Sequence, residues 1–118
     1  MFIAYVIVVV VTIAANAGVA AVDVLRPALP LANSAEVGVP PSWLPWLAAL
    51  KAAGAAGLLL GLLGVPYLGT AAATGLVLFF VGAVAVHIRS RVFHNFAFPA
   101  GYLGLAVASL AACLLVAP

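Results

Sequence analysis

Long apolar stretches, separated by short polar breaks, occupy most of this chain. Each stretch approaches the roughly 20 residues that an α-helix needs to cross the hydrocarbon core of a bilayer. The pattern therefore predicts an all-α fold, an integral membrane four-helix bundle that forms a single transmembrane domain over residues 1–118. The four predicted helices cover about 2–22, 43–63, 68–88 and 97–117.

The first stretch also has a feature of a secretory signal, because small residues occur near its end. It has no positively charged residue before its apolar core, however, and that core is longer than the roughly 7–15 residues typical of such signals. We therefore expect the first helix to be retained.

Segment 24–42 joins the first two predicted helices and is too long for a tight turn. Pro27 and Pro30 end the first helix, because proline fixes φ and has no backbone N–H. Trp43 and Trp46 carry amphipathic rings that settle at the headgroup level. Since much of the segment is apolar, we expect a partly structured interfacial loop that folds back as a lid. An ordinary ordered loop is the alternative.

Composition and charge narrow the function classes. Of 118 residues, 69% are hydrophobic and 5% are charged, which is typical of a membrane protein and not of a soluble domain. The net charge of +2 is too small and too local to indicate nucleic-acid binding, so the lipid bilayer is the expected partner. The single cysteine, Cys113, excludes an intramolecular disulfide and a Cys-x-x-Cys redox pair.

All charged residues fall on one side of the membrane if the four helices alternate in direction. The opposite side offers the segment GVPYL and the chain ends, which carry no charged side chain. Because Lys and Arg in short loops favour the cytoplasm, we expect a plasma-membrane protein with cytoplasmic charged loops and both termini outside. The charged side carries Asp23, Arg26, Glu36, Lys51, Arg89 and Arg91, together with His87 and His94.

Glycines recur at seven-residue spacing, as Gly54 and Gly61 in the second predicted helix and Gly75 and Gly82 in the third. Small residues let helix backbones approach closely in lipid, where little hydrophobic force drives helices together. Packing accounts for these glycines, and their number is compatible with a homodimer.

Polar and ionisable groups inside membrane spans are costly, which makes them the default candidates for a functional site. Asn16 and Asp23 lie on one face of the first helix, Lys51 lies in the second, and His87 and Arg89 end the third. Since these residues share one end of three helices, we expect them to converge on a polar ligand-binding pocket.

Lys51 has two interpretations at this depth. Its ammonium group either extends to the lipid headgroups or forms an inward ion pair with Asp23. The pair, with Arg89 and His87, could hold an anionic or carbonyl-bearing head group. His87 is a tentative acid or base because histidine is the residue type that commonly exchanges protons in enzymes. This pattern favours an amphipathic ligand, such as a quinone or lipid, whose tail lies between helices.

No metal or haem is expected. His94 is the only other histidine, and no spacing of His, Cys and carboxylates resembles a ligand set. We expect Arg91 and His94 to be solvated or lipid-facing, and Glu36 to be a surface charge.

Two runs carry a more specific pattern. WLPWLAALKAAGAAGLLLGL contains Leu50, Lys51, Gly54, Gly57, Leu58 and Leu59 as Leu-Lys-x-x-Gly-x-x-Gly-Leu-Leu, and LGTAAATGLVLFFVGAVAVHIRSR contains His87 and Arg89 as His-x-Arg. With the pair Asn16-Ala17, these motifs resemble the DoxX-like family of small bacterial membrane proteins related to DoxX and DoxD. The resemblance covers nearly the whole chain.

The resemblance implies a four-helix bundle in the plasma membrane and an association with respiratory or sulfur-linked redox chemistry, in which relatives resemble quinone-interacting subunits. It makes quinone a candidate cofactor and a membrane redox complex a candidate partner. This chain itself lacks a thiol pair and obvious haem ligands.

Three functions compete. The leading hypothesis is a non-enzymatic ligand-binding or accessory subunit, linked to quinone or redox processes, with its polar site at the cytoplasmic end. The second is a membrane enzyme acting on a lipid, quinone or isoprenoid head group, with His87 as acid or base and Lys51 or Arg89 holding an oxyanion. The third is a small oligomeric transporter, for which charges at only one end make a poor pathway.

Overall fold

The computed structural model describes residues 1–116, which are helical apart from short connections. Four of its helices are long and apolar enough to cross a membrane, which confirms the predicted membrane bundle. A shorter helix, α2, and a 3₁₀ turn lie between the first two spanning helices. The helices are α1 (Phe2–Leu25), α2 (Ala28–Glu36), α3 (Leu44–Leu62), α4 (Leu68–Arg89) and α5 (Ala97–Val116), and the 3₁₀ turn is Pro41–Trp43.

The observed helix ends lie close to the predicted ones. The largest difference is at the end of α1, which continues to Leu25 instead of stopping at residue 22. Asp23 stays helical, and the helix ends at Arg26 (φ −132°, ψ 69°) because the residue before a proline is disfavoured in the α conformation. The predicted end of the last helix, residue 117, lies outside the described residues.

The four spanning helices form a closed ring in which α1 packs on α3, α3 on α4, α4 on α5, and α5 on α1. Each helix turns a seven-residue stripe toward the centre, as left-handed bundle packing requires. On α4 this stripe includes buried Ala73 and Phe80, and on α5 it includes Ala106 and Cys113. Continued along the chain, the α4 stripe reaches His87, so the inward faces carry ionisable side chains at one end of the bundle.

That end, where Asp23, Lys51 and Arg89 lie, is called the charged end below. The opposite end, which contains the turn at residues 63–67 between α3 and α4, has no charged side chain.

Close backbone packing joins α3 to α4. A Cβ atom added at Gly61 would lie 2.6 Å from the backbone of Gly69, and one added at Gly54 would lie 2.5 Å from the side chain of Leu76. Real Cβ atoms do not approach neighbours this closely, so the glycines of α3 are required at this seam. The packing role expected for Gly54 and Gly61 is therefore confirmed.

The glycines of α4 behave differently. A Cβ atom at Gly75 or at Gly82 would have no neighbouring atom within 4 Å. The expectation that they pack within the bundle is wrong, because both residues lie on the outer, exposed face of α4.

Helix α2 gives partial structure to segment 24–42, as predicted, and contacts the connection between α4 and α5. Ser90 Oγ donates a hydrogen bond of 3.0 Å to the carbonyl oxygen of Val37, a buried residue. His94 Nε2 lies 2.5 Å from Glu36 Oε2. Both of these side chains are exposed, as expected, but the sequence did not indicate that they pair.

Candidate functional site

An ion pair joins α1 to α3 at the charged end. Lys51 Nζ donates a hydrogen bond of 2.5 Å to Asp23 Oδ2, and the two side chains are only 11% and 14% exposed. Of the two interpretations of Lys51, the structure therefore shows the inward pair. Each charge compensates the other's loss of solvation, which neither could do alone.

An aromatic ring of α4 borders this pair. The Lys51 ammonium nitrogen lies 5.9 Å from the centre of the Phe79 ring, a distance at which a cation is attracted to the ring face. A lysine ammonium group has three N–H donors. Within residues 1–116, Asp23 is the one hydrogen-bond acceptor that Lys51 contacts, so donor capacity remains for another acceptor.

His87 lies on α4, one stripe position beyond Phe80, and is half-buried. Its Nδ1 lies 2.8 Å from the carbonyl oxygen of Ala83. Because a carbonyl oxygen only accepts hydrogen bonds, Nδ1 carries the proton, and Nε2 of the neutral ring is left as an acceptor. Within residues 1–116, no hydrogen bond or ion pair connects His87 to Asp23 or Lys51.

Arg89 is exposed at the end of α4 and forms no ion pair with a carboxylate in the described part of the chain. Of the five residues expected to converge, the structure thus joins two, Asp23 and Lys51, by direct contact. His87 and Arg89 share the charged end with that pair without touching it through polar atoms.

Asn16, the fifth candidate, is completely buried. Its Nδ2 donates a hydrogen bond of 3.0 Å to the carbonyl oxygen of Thr12, one turn earlier on α1. Its Oδ1 has no donor among residues 1–116. A buried carbonyl oxygen without a donor is costly, which marks Asn16 as a position able to accept a hydrogen bond from a bound group.

Polar side chains join α1 to α5 near Asn16, and this polar seam was not predicted from the sequence. Thr12 Oγ1 and Ser109 Oγ form a hydrogen bond of 2.7 Å, and Tyr102 donates one of 3.2 Å from its hydroxyl group to the carbonyl oxygen of Ala15. The signal was present, since hydroxyl and amide side chains often join helices inside membranes. Thr12 precedes Asn16 by one turn, and Ser109 lies in the middle of an otherwise apolar helix.

An apolar groove of about 520 Å³ runs along the outer side of the α3–α4 seam. We call it the outer groove. Its lining runs from Leu50 to Gly57 on α3 and from Leu68 to Phe79 on α4. Leu50 directly precedes Lys51, and Phe79 is the ring that borders the Lys51 ammonium group. The groove therefore ends at the ring that borders the ion pair, although neither Lys51 nor Asp23 lines it.

No group of three or more His, Cys, Asp and Glu side chains within residues 1–116 is placed to hold a metal ion. Buried Cys113 lies beside Gly69 near the uncharged end, whereas the histidines and carboxylates lie at the charged end.

Comparison with known proteins identifies a family. Residues 7–109, nearly the whole chain, match the DoxX-like family. The matched region contains all five candidate residues and the outer groove. No curated protein and no solved structure matches the chain.

Proposed function

The chain belongs to the DoxX-like family, and on that basis we propose that it is a non-enzymatic membrane protein that binds the polar head of an amphipathic ligand. In this proposal it acts as a ligand-binding or accessory subunit linked to quinone or redox processes. The observation that carries the proposal is the buried Asp23–Lys51 pair.

A buried ion pair is not an effective way to stabilise a fold. Replacing a buried ion pair by apolar residues of similar volume is often neutral or stabilising, because the cost of desolvating two charges is large. Ionisable groups kept inside a membrane span therefore favour a functional explanation. In the proposed site, Lys51 donates a hydrogen bond to the ligand head while Asp23 holds the ammonium group in place.

The remaining candidates have supporting roles in the proposal. Asn16 offers a buried carbonyl oxygen without a donor, and Nε2 of His87 is an available acceptor. Arg89 is an exposed cation at the same end and would attract the headgroup region of the ligand or of neighbouring lipid. The link to quinone is supported by family resemblance, and a carbonyl-bearing ring would suit the Lys51 donor.

We also propose that the charged end faces the cytoplasm and that both termini lie outside, in the plasma membrane. The support is the distribution of Lys and Arg, which are confined to that end. Single cysteines introduced at Ser42 and Val65, which are exposed near opposite ends of the bundle, should react with a membrane-impermeant thiol reagent from opposite sides. Buried Cys113 should contribute little background. Labelling of Ser42→Cys from outside intact cells would contradict the proposed orientation and show that the charged end lies outside.

Extraction and mass spectrometry of protein purified in mild detergent, together with an oxidised-minus-reduced absorbance spectrum, test the proposal directly. We expect a stoichiometric amphiphile that is lost from the double variant Asp23→Leu with Lys51→Met, which removes both the Lys51 donor and the carboxylate that holds it. Recovery of bulk phospholipid alone, in equal amounts from both proteins, would contradict the proposed site.

One observation favours a second candidate, an enzyme acting on a lipid, quinone or isoprenoid head group. The hydrogen bond from His87 Nδ1 to the Ala83 carbonyl leaves Nε2 able to accept a proton. His87→Gln separates the two functions, because binding should largely survive the substitution whereas turnover should be lost.

A further inference from the structure

We propose that the outer groove seats the chain of a neutral single-chain amphiphile whose uncharged, hydrogen-bond-accepting head lies against Lys51. This inference depends on the proposed function, since it names the seat and the chemical class of the ligand. Four features of the described residues support it.

The first feature is the position of one end of the groove, at the aromatic ring that borders the ion pair. At the side nearest the charged end, the groove is lined by Leu50 and Phe79. Phe79 also borders the Lys51 ammonium group at 5.9 Å. Lys51 does not itself line the groove, so a molecule lying there would bring one of its ends to the Phe79 ring. In this proposal its head passes the edge of that ring to reach the remaining donors of Lys51.

The second feature is the shape of the groove. Leu50 and Leu78 form its rims and are 56% and 68% exposed. Between them the floor consists largely of small residues, and a Cβ atom at Gly75 would meet nothing within 4 Å. This depression faces the bilayer, so a chain can enter it sideways from the lipid phase.

The third feature is size. From Leu68 to Phe79 the lining of α4 extends about 16 Å, at 1.5 Å per residue. This is close to half of the roughly 30 Å hydrocarbon thickness. Because Leu68 begins α4 at the uncharged end and Phe79 lies at the middle of the helix, the groove covers the half of the membrane away from the charged end, and the head of the ligand would lie near the bilayer centre. The volume of about 520 Å³ lies within the usual range for a small-molecule site. The dimensions suit one extended hydrocarbon chain.

The fourth feature is charge. Lys51 and Asp23 cancel each other, so the end of the groove has no net charge to compensate an anionic head. The arginines that could compensate one, including Arg89, are exposed at the bundle surface. Burying an uncompensated anion is costly, whereas a hydroxyl or carbonyl head needs only a hydrogen bond from Lys51. An uncharged head is therefore favoured.

A photoreactive fatty alcohol tests the proposal, with the fatty acid of the same chain and the same diazirine position as the charged comparison. Each probe is added to purified protein in nanodiscs, and the labelling yield and labelled peptides are measured by mass spectrometry. We expect the alcohol to label α3 and α4 along the groove and the acid to label these peptides at least about tenfold less.

Gly75→Leu fills the groove without entering the α3–α4 seam, and Gly104→Leu is its matched control. Gly104 is also an exposed helical glycine with open space around it, but it lies on α5. We expect Gly75→Leu to reduce labelling by the alcohol about tenfold, because it excludes several methylene groups of the chain. Gly104→Leu should leave labelling unchanged.

The outcomes separate this inference from the proposed function. If Asp23→Leu with Lys51→Met abolishes labelling but Gly75→Leu does not, the ion-pair site stands and the groove is the wrong seat. If neither variant changes labelling, both proposals are wrong. If the acid labels the groove as strongly as the alcohol, the inference of an uncharged head is overturned.

Discussion

The Asp23–Lys51 pair and the Glu36–His94 pair have the same donor–acceptor distance, 2.5 Å, in opposite surroundings. The first joins two spanning helices and has side chains that are 11% and 14% exposed. In the second, which joins α2 to the segment after α4, His94 is 64% exposed and Glu36 is 41% exposed. Distance alone does not reveal that difference, whereas burial does.

Burial changes what each pair does. Breaking a buried pair by removing one partner leaves an unsolvated charge and typically costs about 3–5 kcal/mol. An exposed pair contributes roughly 0–1 kcal/mol, because water and salt screen it. The buried pair therefore constrains the positions of α1 and α3, while the exposed pair contributes little to holding α2.

The largest effect should come from Lys51→Met. This substitution leaves the Asp23 carboxylate buried without a cation, and we expect the free energy of unfolding to fall by about 3 kcal/mol. The measurement is an unfolding titration in mixed micelles. The double variant Asp23→Leu with Lys51→Met, which removes both charges, should recover most of the loss. A double variant as unstable as the sum of both single variants would show that the two charges are not coupled.

A smaller but clear effect is expected at the α3–α4 seam. Gly61→Ala places a Cβ atom 2.6 Å from the Gly69 backbone, so α3 and α4 must separate. Overpacking of this kind typically costs about 1–3 kcal/mol. Gly82→Ala is the matched control, because nothing lies within 4 Å of its added Cβ atom. Equal unfolding free energies for the two variants would mean that the seam does not hold α3 in place.

Thr12→Val tests a buried contact without charge. It removes the 2.7 Å hydrogen bond to Ser109 at nearly constant volume, and such bonds between membrane helices are worth about 0.6 kcal/mol on average. Thr74→Val is the control, since the Thr74 hydroxyl is exposed and donates to Thr70 within its own helix. If both variants lose equal stability, the α1–α5 hydrogen bond contributes nothing beyond the cost of the substitution itself.

The same comparison shows what the sequence could and could not predict. The spanning helices were predictable because lipid requires long apolar helices. An inward Lys51–Asp23 pair was one of two interpretations, because an isolated charge inside a membrane is costly. The Glu36–His94 contact was not predictable, since neither exposed residue requires a partner. Arg89 was expected to converge with the pair, but it lies exposed at the C-terminus of α4. An exposed arginine is solvated by water and requires no partner.

The smallest effect should come from the exposed pair. Glu36→Gln removes one charge that water already solvates, so we expect the unfolding free energy to change by less than about 0.5 kcal/mol. Hydrogen exchange of the α2 amides should rise modestly in the variant, because α2 loses one of its contacts with the segment after α4. The control is Asn33→Ala, which removes the long 3.4 Å contact with Asn95 and should change exchange even less. A loss of stability comparable to that of Lys51→Met would show instead that α2 is an integral part of the bundle, and burial would then no longer separate the two pairs.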